Sequence, residues 1–172
     1  MISIKRATSA DINVAIELRI ALLTELAAYT SGLSILQISD DYFLKAIKTK
    51  LLQGVDDCFL NGIKAKQLDV WLLEFDSAIV STGGLITTPG SPTSENAHTH
   101  EGYIFNMYTQ PSHRKIGCAR AMLQEIISFS KSISLARLWL KASRDGFPLY
   151  QSVGFKVTGS HAAGHIPMEL YL

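Results

Sequence analysis

Between Tyr103 and Leu123 the chain changes its period within a few residues, and this switch constrains the fold more than any bulk property. "YIFNMYT" is a β-branched and aromatic run, Pro111 breaks it, Arg114 and Lys115 follow ahead of the lone Gly117, and "CARAML" opens an Ala/Leu-rich helix. A strand that feeds a helix through so short a turn brings the helix's first backbone N–H groups to the strand's end. Those groups have no intrahelical partner, and the helix dipole makes that end positive, so the donors converge on an anion such as phosphate. Gly117 lacks a Cβ and lets a ligand oxygen approach the main chain. Arg114 adds a planar fork suited to phosphate and Lys115 a second positive charge. The spacing from Arg114 to Ala119, R-x-x-G-x-A, is neither a Walker loop nor the dinucleotide fingerprint G-x-G-x-x-G. The opposing reading is that Gly117 only eases a turn and that the basic residues are solvated.

The flanking segments alternate in type. "MISIKRAT" reads as a short strand with Ile2 and Ile4 on one face. Ser9 then caps a helix with Asp11 in its first turn, and Ile12, Ile16, Ile20, Leu23 and Ala27 form its apolar stripe. Leu18, Leu22 and Leu26 widen that stripe, so this helix is expected to be well buried. Ser39-Asp40-Asp41 opens a second helix with Phe43, Ala46, Ile47 and Leu51 on its apolar side and Gly54 as its stop. "LDVWLLEF" and "AIVSTGGLIT" are strands joined by a tight hairpin at Asp76-Ser77. "TTPGSPTSENAHTHEG" is a polar loop, "ARLWLKAS" a strand, "GFPLYQSV" a short helix ended by Gly154, and "FKVTGS" and "PMELYL" the closing strands. The order is strand, two helices, three strands, helix, strand, helix, two strands, which builds one α/β or α+β domain over residues 1–172.

Bulk properties narrow the function. With 47% hydrophobic and 18% charged residues the chain fills a core, and its net charge of +1 offers no field for nucleic acid or an acidic membrane. Any anion site is therefore local. Cys58 and Cys118 make no CxxC pair, which fits a reducing cytosol without a structural disulfide. "MISIKRATSADI" has neither the apolar core nor the cleavage site of a secretory signal, and no apolar run approaches the roughly 18 residues that span a bilayer. The expectation is a soluble, cytoplasmic protein.

"YIFNMYTQPSHRKIGCARAML" resembles motif A of the GCN5-related N-acetyltransferases (the GNAT superfamily). "LWLKASRDGFPLYQSVGFKVTG" resembles that family's strand, short helix and Y-x-x-x-G-F signature, and "PMELYL" its final strand. The resemblance covers Ala78 to Leu172; before that, element order and the first helix agree. It implies an α/β (α+β) fold with a mixed, mostly antiparallel twisted sheet of about six to seven strands and helices on both faces. The fourth and fifth strands would be parallel and splayed. It implies acetyl-coenzyme A as co-substrate, no metal, and a primary amine of a small molecule or peptide as acceptor. The partner reading is no nucleic acid, no membrane, and a monomer or homodimer.

The same resemblance implies roles for residues. Main-chain groups around Met107, Tyr108 and Thr109 would pair with the pantetheine arm as an added strand. Backbone N–H groups of Lys115, Ile116, Gly117, Cys118 and Ala119, with the Arg114 and Arg120 side chains nearby, would hold the pyrophosphate. A backbone N–H of the bulged strand would stabilise the oxyanion that develops on the thioester. Tyr150 would be the general acid that protonates the departing thiolate, since a phenol with pKa of about 10 stays protonated at neutral pH; otherwise it is a half-buried core aromatic. By their positions, Glu25 on the polar edge of the first helix and Asn106 beside the thioester strand are candidates to touch or orient the acceptor. Glu74 and Glu101 are other possible bases. The alternative for each is a surface residue, and the sequence does not choose among them.

Other residues carry weaker signals. His98 and His100 on the polar loop lack a further ligand at metal spacing and read as solvated. His161 and His165 flank the last turn, which in the family can border the acceptor pocket. Cys118 lies inside the anion loop, so its modification is expected to block the cofactor. Trp71 and Trp139 read as core aromatics. Ala119 stands where the family often has glycine, and Phe147 where a polar residue often precedes Pro-Leu-Tyr. The alternative function on the same fold is a non-catalytic acyl-CoA-binding domain; a more distant one is an unrelated nucleotide-binding domain.

Overall fold

The computed structural model describes residues 1–31, 68–90, 100–159 and 165–172. Seven strands, β1 (Ile2–Arg6), β2 (Leu68–Phe75), β3 (Ala78–Pro89), β4 (His100–Thr109), β5 (Arg137–Ala142), β6 (Lys156–Val157) and β7 (Ile166–Tyr171), form one sheet in the order β1-β2-β3-β4-β5-β7-β6. Helix α1 spans Ile12–Ser31, α2 Cys118–Ser132 and α3 Phe147–Ser152. Every strand pair is antiparallel except β4 with β5. The mixed, mostly antiparallel sheet and its parallel central pair match the expected class. The expected second helix, with Ser39, Asp40, Asp41, Phe43, Ala46, Ile47, Leu51 and Gly54, lies outside the described residues, as do Cys58, His98 and His161.

Alternation along β2 explains why the sheet is covered on both sides. Leu68, Val70 and Leu72 pack with Ala15 and Leu18 of α1, whereas Trp71 and Leu73 join Met122, Leu123 and Ile126 of α2 in the larger core. A strand buried on both faces reads as a near-continuous apolar run, as "LDVWLLEF" does. At the Asp76-Ser77 hairpin both residues take positive φ, 48° and 68°, the backbone of a two-residue turn matched to strand twist.

Several boundaries differ from expectation. Thr8, not Ser9, caps the first helical segment. Its hydroxyl accepts from the Ala10 N–H, and Asp11 accepts from the Thr8 N–H, a reciprocal capping box that leads through a 3₁₀ turn into α1. Lys5 and the Thr8 groups hold the Asp11 carboxyl at about 2. Helix α1 is buried at Ile12, Ala15, Ile16 and Leu18 but only half-buried from Arg19 to Leu26, so the expected deep burial holds for the apolar face of its first half. Thr87–Pro89 and His100–Gly102, assigned to the polar loop, are strand residues paired across β3 and β4. His100 is therefore a ladder residue, and its carbonyl accepts from the Ala136 N–H. Trp71 is core at 1% exposure, but Trp139 is only half-buried, its ring tilted against Tyr103 with centres 4.2 Å apart.

Candidate active site

The parallel strands β4 and β5 pair only from Glu101↔Arg137 to Tyr103↔Trp139. Beyond that, Ile104–Thr109 keeps β3 as its partner and Leu140–Ala142 keeps β7, so the facing edges of β4 and β5 part into a cleft. A bulge sharpens the opening. Gly84 pairs with Phe105 and Thr82 with Tyr108, leaving Asn106 and Met107 opposite the single Gly83, with Asn106 in the left-handed region at φ 55°. Glycine is required here by space. A Cβ on Gly83 would lie 2.8 Å from the Met107 sulfur and 2.9 Å from side-chain carbons of Ile126 and Met122; one on Gly84 would lie 2.4 Å from the Phe105 ring.

The loop after β4 reaches α2 through a 3₁₀ turn at Pro111–His113 and left-handed residues at Lys115 (φ 63°) and Gly117 (φ 100°). Gly117 is the N-cap of α2, and no side chain caps this helix end. A Cβ at Gly117 would meet nothing within 4 Å. The amides from Lys115 to Ala119 thus stand at the open end of the β4 edge. Their geometry suits a diphosphate. Lys115 is exposed, and Ile116 presents a 50% exposed side chain in the same turn.

Arg114 is turned differently from the sequence-based expectation. Its Nη2 donates to Glu25 of α1 at 2.7 Å, its Nε donates to the Thr109 carbonyl at 2.9 Å, and its guanidinium lies 5.7 Å from the Tyr108 ring centre. Desolvation raises the Tyr108 pKa, reinforced by Glu25. Arg114 therefore ties α1 to the anion loop, and Glu25 is already partnered. Arg120 donates to the Ser152 hydroxyl at 2.8 Å and joins α2 to α3. It lines a groove of about 450 Å³ with Gln124, Ile127, Lys131 and Ser152, to which neither β4 nor β5 contributes.

Tyr150 is 8% exposed, and its ring meets Phe155 edge-on at 5.9 Å. Burial, assisted by nearby Tyr103, pushes its pKa up to about 12. Cys118 points into the same core at 1% exposure, where burial raises its thiol pKa, so it packs as a small apolar residue rather than lining the loop. Asn106 is 5% exposed, and its Oδ1 accepts from Arg19 Nη1 of α1 at 3.3 Å.

The other candidates lie elsewhere. Arg137 clamps Glu101 and Glu169, each at 2.7 Å, at the closed end of the β4–β5 pair, and Glu74 sits opposite Ser3 in the β1–β2 ladder. His165 is exposed just before β7, and Phe147 packs against the α2-side core. The described residues hold no group of three or more metal-ligating side chains. No described helix is long and apolar enough to cross a membrane. Sequence reasoning missed Arg19, Ser81 and Thr82. Ser81 donates to the Tyr108 carbonyl at 2.7 Å and meets the Thr109 hydroxyl at 2.9 Å, bracing the end of β4. Nothing in the primary sequence marks these three, because the bulge that gathers them is a pairing irregularity between distant strands.

The model of the Acetyltransferase (GNAT) domain family matches residues 38–172. The fold is similar to a predicted acetyltransferase from Clostridium acetobutylicum solved with acetyl-CoA, at 26% identity over 94% of each chain with a TM-score of 0.71. It is also similar to a GCN5-related N-acetyltransferase from Ralstonia eutropha JMP134, at 21% identity over 94% of this chain and 97% of that one, TM-score 0.73. A PaiA N-acetyltransferase from Thermoplasma acidophilum in complex with coenzyme A shares 17% identity over 100% and 99% of the two chains, TM-score 0.65. Among curated protein sequences none matches significantly.

Proposed function

The chain belongs to the GNAT acetyltransferase domain family, and from that premise we propose that it transfers acetyl from acetyl-coenzyme A to a primary amine of a small molecule or peptide. The observation that carries the reading is the uncapped N-terminus of α2, set at the end of β4 where β4 and β5 part. The similarity to a chain solved with acetyl-CoA supports the same ligand here. The residues present fit it. The amides of Lys115 to Ala119 would hold the diphosphate, with Lys115 and Arg120 as the nearby cations. The open β4 edge at Met107 and Tyr108 would take the pantetheine arm as an added strand. Arg114 also holds the loop against α1 through Glu25 and the Thr109 carbonyl, which use two of its five N–H donors, so it would remain a further cation for the diphosphate.

Acetyl-coenzyme A supplies an activated acyl group on sulfur. The amine nitrogen bonds to the acetyl carbon, the carbon–sulfur bond breaks, the nitrogen loses one proton, and the sulfur gains one. A backbone N–H at the Asn106–Met107 bulge would meet the negative charge that grows on the carbonyl oxygen. Tyr150 would donate the proton to sulfur. The burial that keeps this phenol protonated also favours protonation of a thiolate departing beside it.

The test is release of free thiol from acetyl-coenzyme A across amines, polyamines, amino acids and peptides. At least one acceptor should give turnover, and Tyr150→Phe should slow it by about 100-fold, within the usual range for a lost general acid, while coenzyme A affinity changes little. Coenzyme A binding with no thiol released to any acceptor would establish the non-catalytic binding domain instead. An unchanged rate in Tyr150→Phe would remove Tyr150 from the mechanism.

A further inference from the structure

Helices α2 and α3 flank a groove of about 450 Å³ to which the transfer reading gives no ligand, and its size falls within the roughly 300–1,000 Å³ usual for small-molecule sites. Arg120, Gln124, Ile127 and Lys131 recur at helical spacing and line it from α2, and Ser152 and Val153 close it from the end of α3. Ile127 and Val153 are half-buried and form an apolar floor, while Arg120, Gln124, Lys131 and Ser152 are exposed around it. No carboxylate is among the described residues that line the groove, so its two cations give it a positive field.

Arg120 joins this groove to the anion loop. It is the third residue of α2 and follows directly on the amides of Lys115 to Ala119. Its bond to the Ser152 hydroxyl uses one of five N–H donors and leaves the others for a ligand. That hydroxyl in turn donates to the Leu149 carbonyl at 2.6 Å, so the serine oxygen is fixed and holds the guanidinium in place. A planar fork ordered in advance suits a phosphate. A carrier held by its diphosphate has two ends. The pantetheine arm goes to the β4 edge in the reading above, and the other end is an adenosine with a 3′-phosphate. A flat base and a compact anion are the groups that an apolar floor and a fixed guanidinium complement.

We propose that the groove between α2 and α3 receives the nucleotide end of coenzyme A and that Arg120 binds its 3′-phosphate, so that the carrier is selected by a charge remote from the reacting thioester. This rests on the transfer reading above, which sets the diphosphate at the loop amides. Ile127 and Val153 carry the base, and Ser152 acts by positioning Arg120. Lys131 lies three turns further along α2, a rise of about 16 Å, so it adds to the field of the groove rather than to that contact.

The experiment measures binding rather than turnover. The parent, Arg120→Gln and Lys131→Gln are titrated calorimetrically with coenzyme A and with dephospho-coenzyme A, which lacks only the 3′-phosphate. The parent should bind coenzyme A about 10- to 100-fold more tightly than the dephospho form, the range expected for hydrogen bonds to a charged group. Arg120→Gln should bring that ratio within about threefold of unity by weakening coenzyme A alone, and Lys131→Gln should keep most of it. Both positions are exposed, so both variants should melt within about 2 °C of the parent. Equal weakening of both ligands in Arg120→Gln would put its guanidinium on the diphosphate and overturn the inference. A parent ratio near unity, or one lost equally in Lys131→Gln, would overturn it too, and all three outcomes leave the transfer reading standing. If neither ligand binds, the transfer reading fails, and the groove is decided alone with adenosine 3′,5′-bisphosphate. A rise in melting temperature of about 4 °C in the parent that is absent in Arg120→Gln supports it. No rise, or one kept in the variant, overturns it.

Discussion

Tyr150 is a packing residue whose burial also bears on the acid role proposed for it. Its ring fills the α2-side core beside Phe155, and the same burial holds its proton to about pH 12. In the unfolded chain a tyrosine releases its proton near pH 10. Between these values the native state binds more protons than the unfolded one, so stability is present below pH 10 and is lost as the pH climbs toward 12. Urea melts across that window should show the parent losing about 2–3 kcal/mol more than Tyr150→Phe; parallel curves would mean that the phenol is solvated. Gly83 is the opposite case, a residue defined by what it lacks. A methyl there meets Met107, Met122 and Ile126 below 3 Å, so Gly83→Ala should cost about 1–3 kcal/mol in the same melts. A neutral result would show that α2 can lift from the bulge without penalty.

At the scale of elements, the Arg114–Glu25 pair links the two halves of the site. Helix α1 brings Arg19 to the bulge and Glu25 to the loop before α2, so one helix contacts both features. Both partners of the pair are about 40% exposed, and solvent reduces the pair to about 0.2–1 kcal/mol. Its effect is therefore expected in local order more than in global stability. Glu25→Gln should raise hydrogen exchange in the second half of α1 and in residues 110–117, with little change in melting temperature. The exchange increase should also appear in the parent at high salt, where the ion pair is screened. Unchanged exchange in Glu25→Gln would show that α1 is held by packing alone.

Across the whole molecule, the sheet sets the Asn106 bulge and the uncapped N-terminus of α2 toward the end where β4 and β5 part, while Glu101 and Glu74 lie elsewhere. The strands beside β4 and β5 remain paired where that couple parts, so the cleft has firm walls built from β3 and β7. A ligand that binds only the folded state raises its melting temperature by mass action. Coenzyme A at about 100-fold over its dissociation constant should raise it by several degrees, whereas ATP and NAD at the same concentration should not. Stabilisation by ATP or NAD without coenzyme A would point to an unrelated nucleotide site.

The strand-to-helix switch at Thr109–Cys118, the Asp76-Ser77 hairpin, the α2 start and the α3 stop at Gly154 are local matters, and the sequence alone determines them. They depend on φ preference, missing donors and hydrophobic period, all of which act within a few residues. Tertiary structure decided the rest. Only strand pairing turned Thr87–Pro89 and His100–Gly102 from loop into ladder, since a ladder bond needs a partner supplied from elsewhere. Only packing sent Cys118 inward, left Trp139 half-covered, and turned Arg114 toward a carboxylate 89 residues away. The bulge at Asn106 belongs to this second kind. A register shift exists only between strands, so no reading of β4 by itself could place Thr82, Asn106 and Arg19 on one face of the sheet.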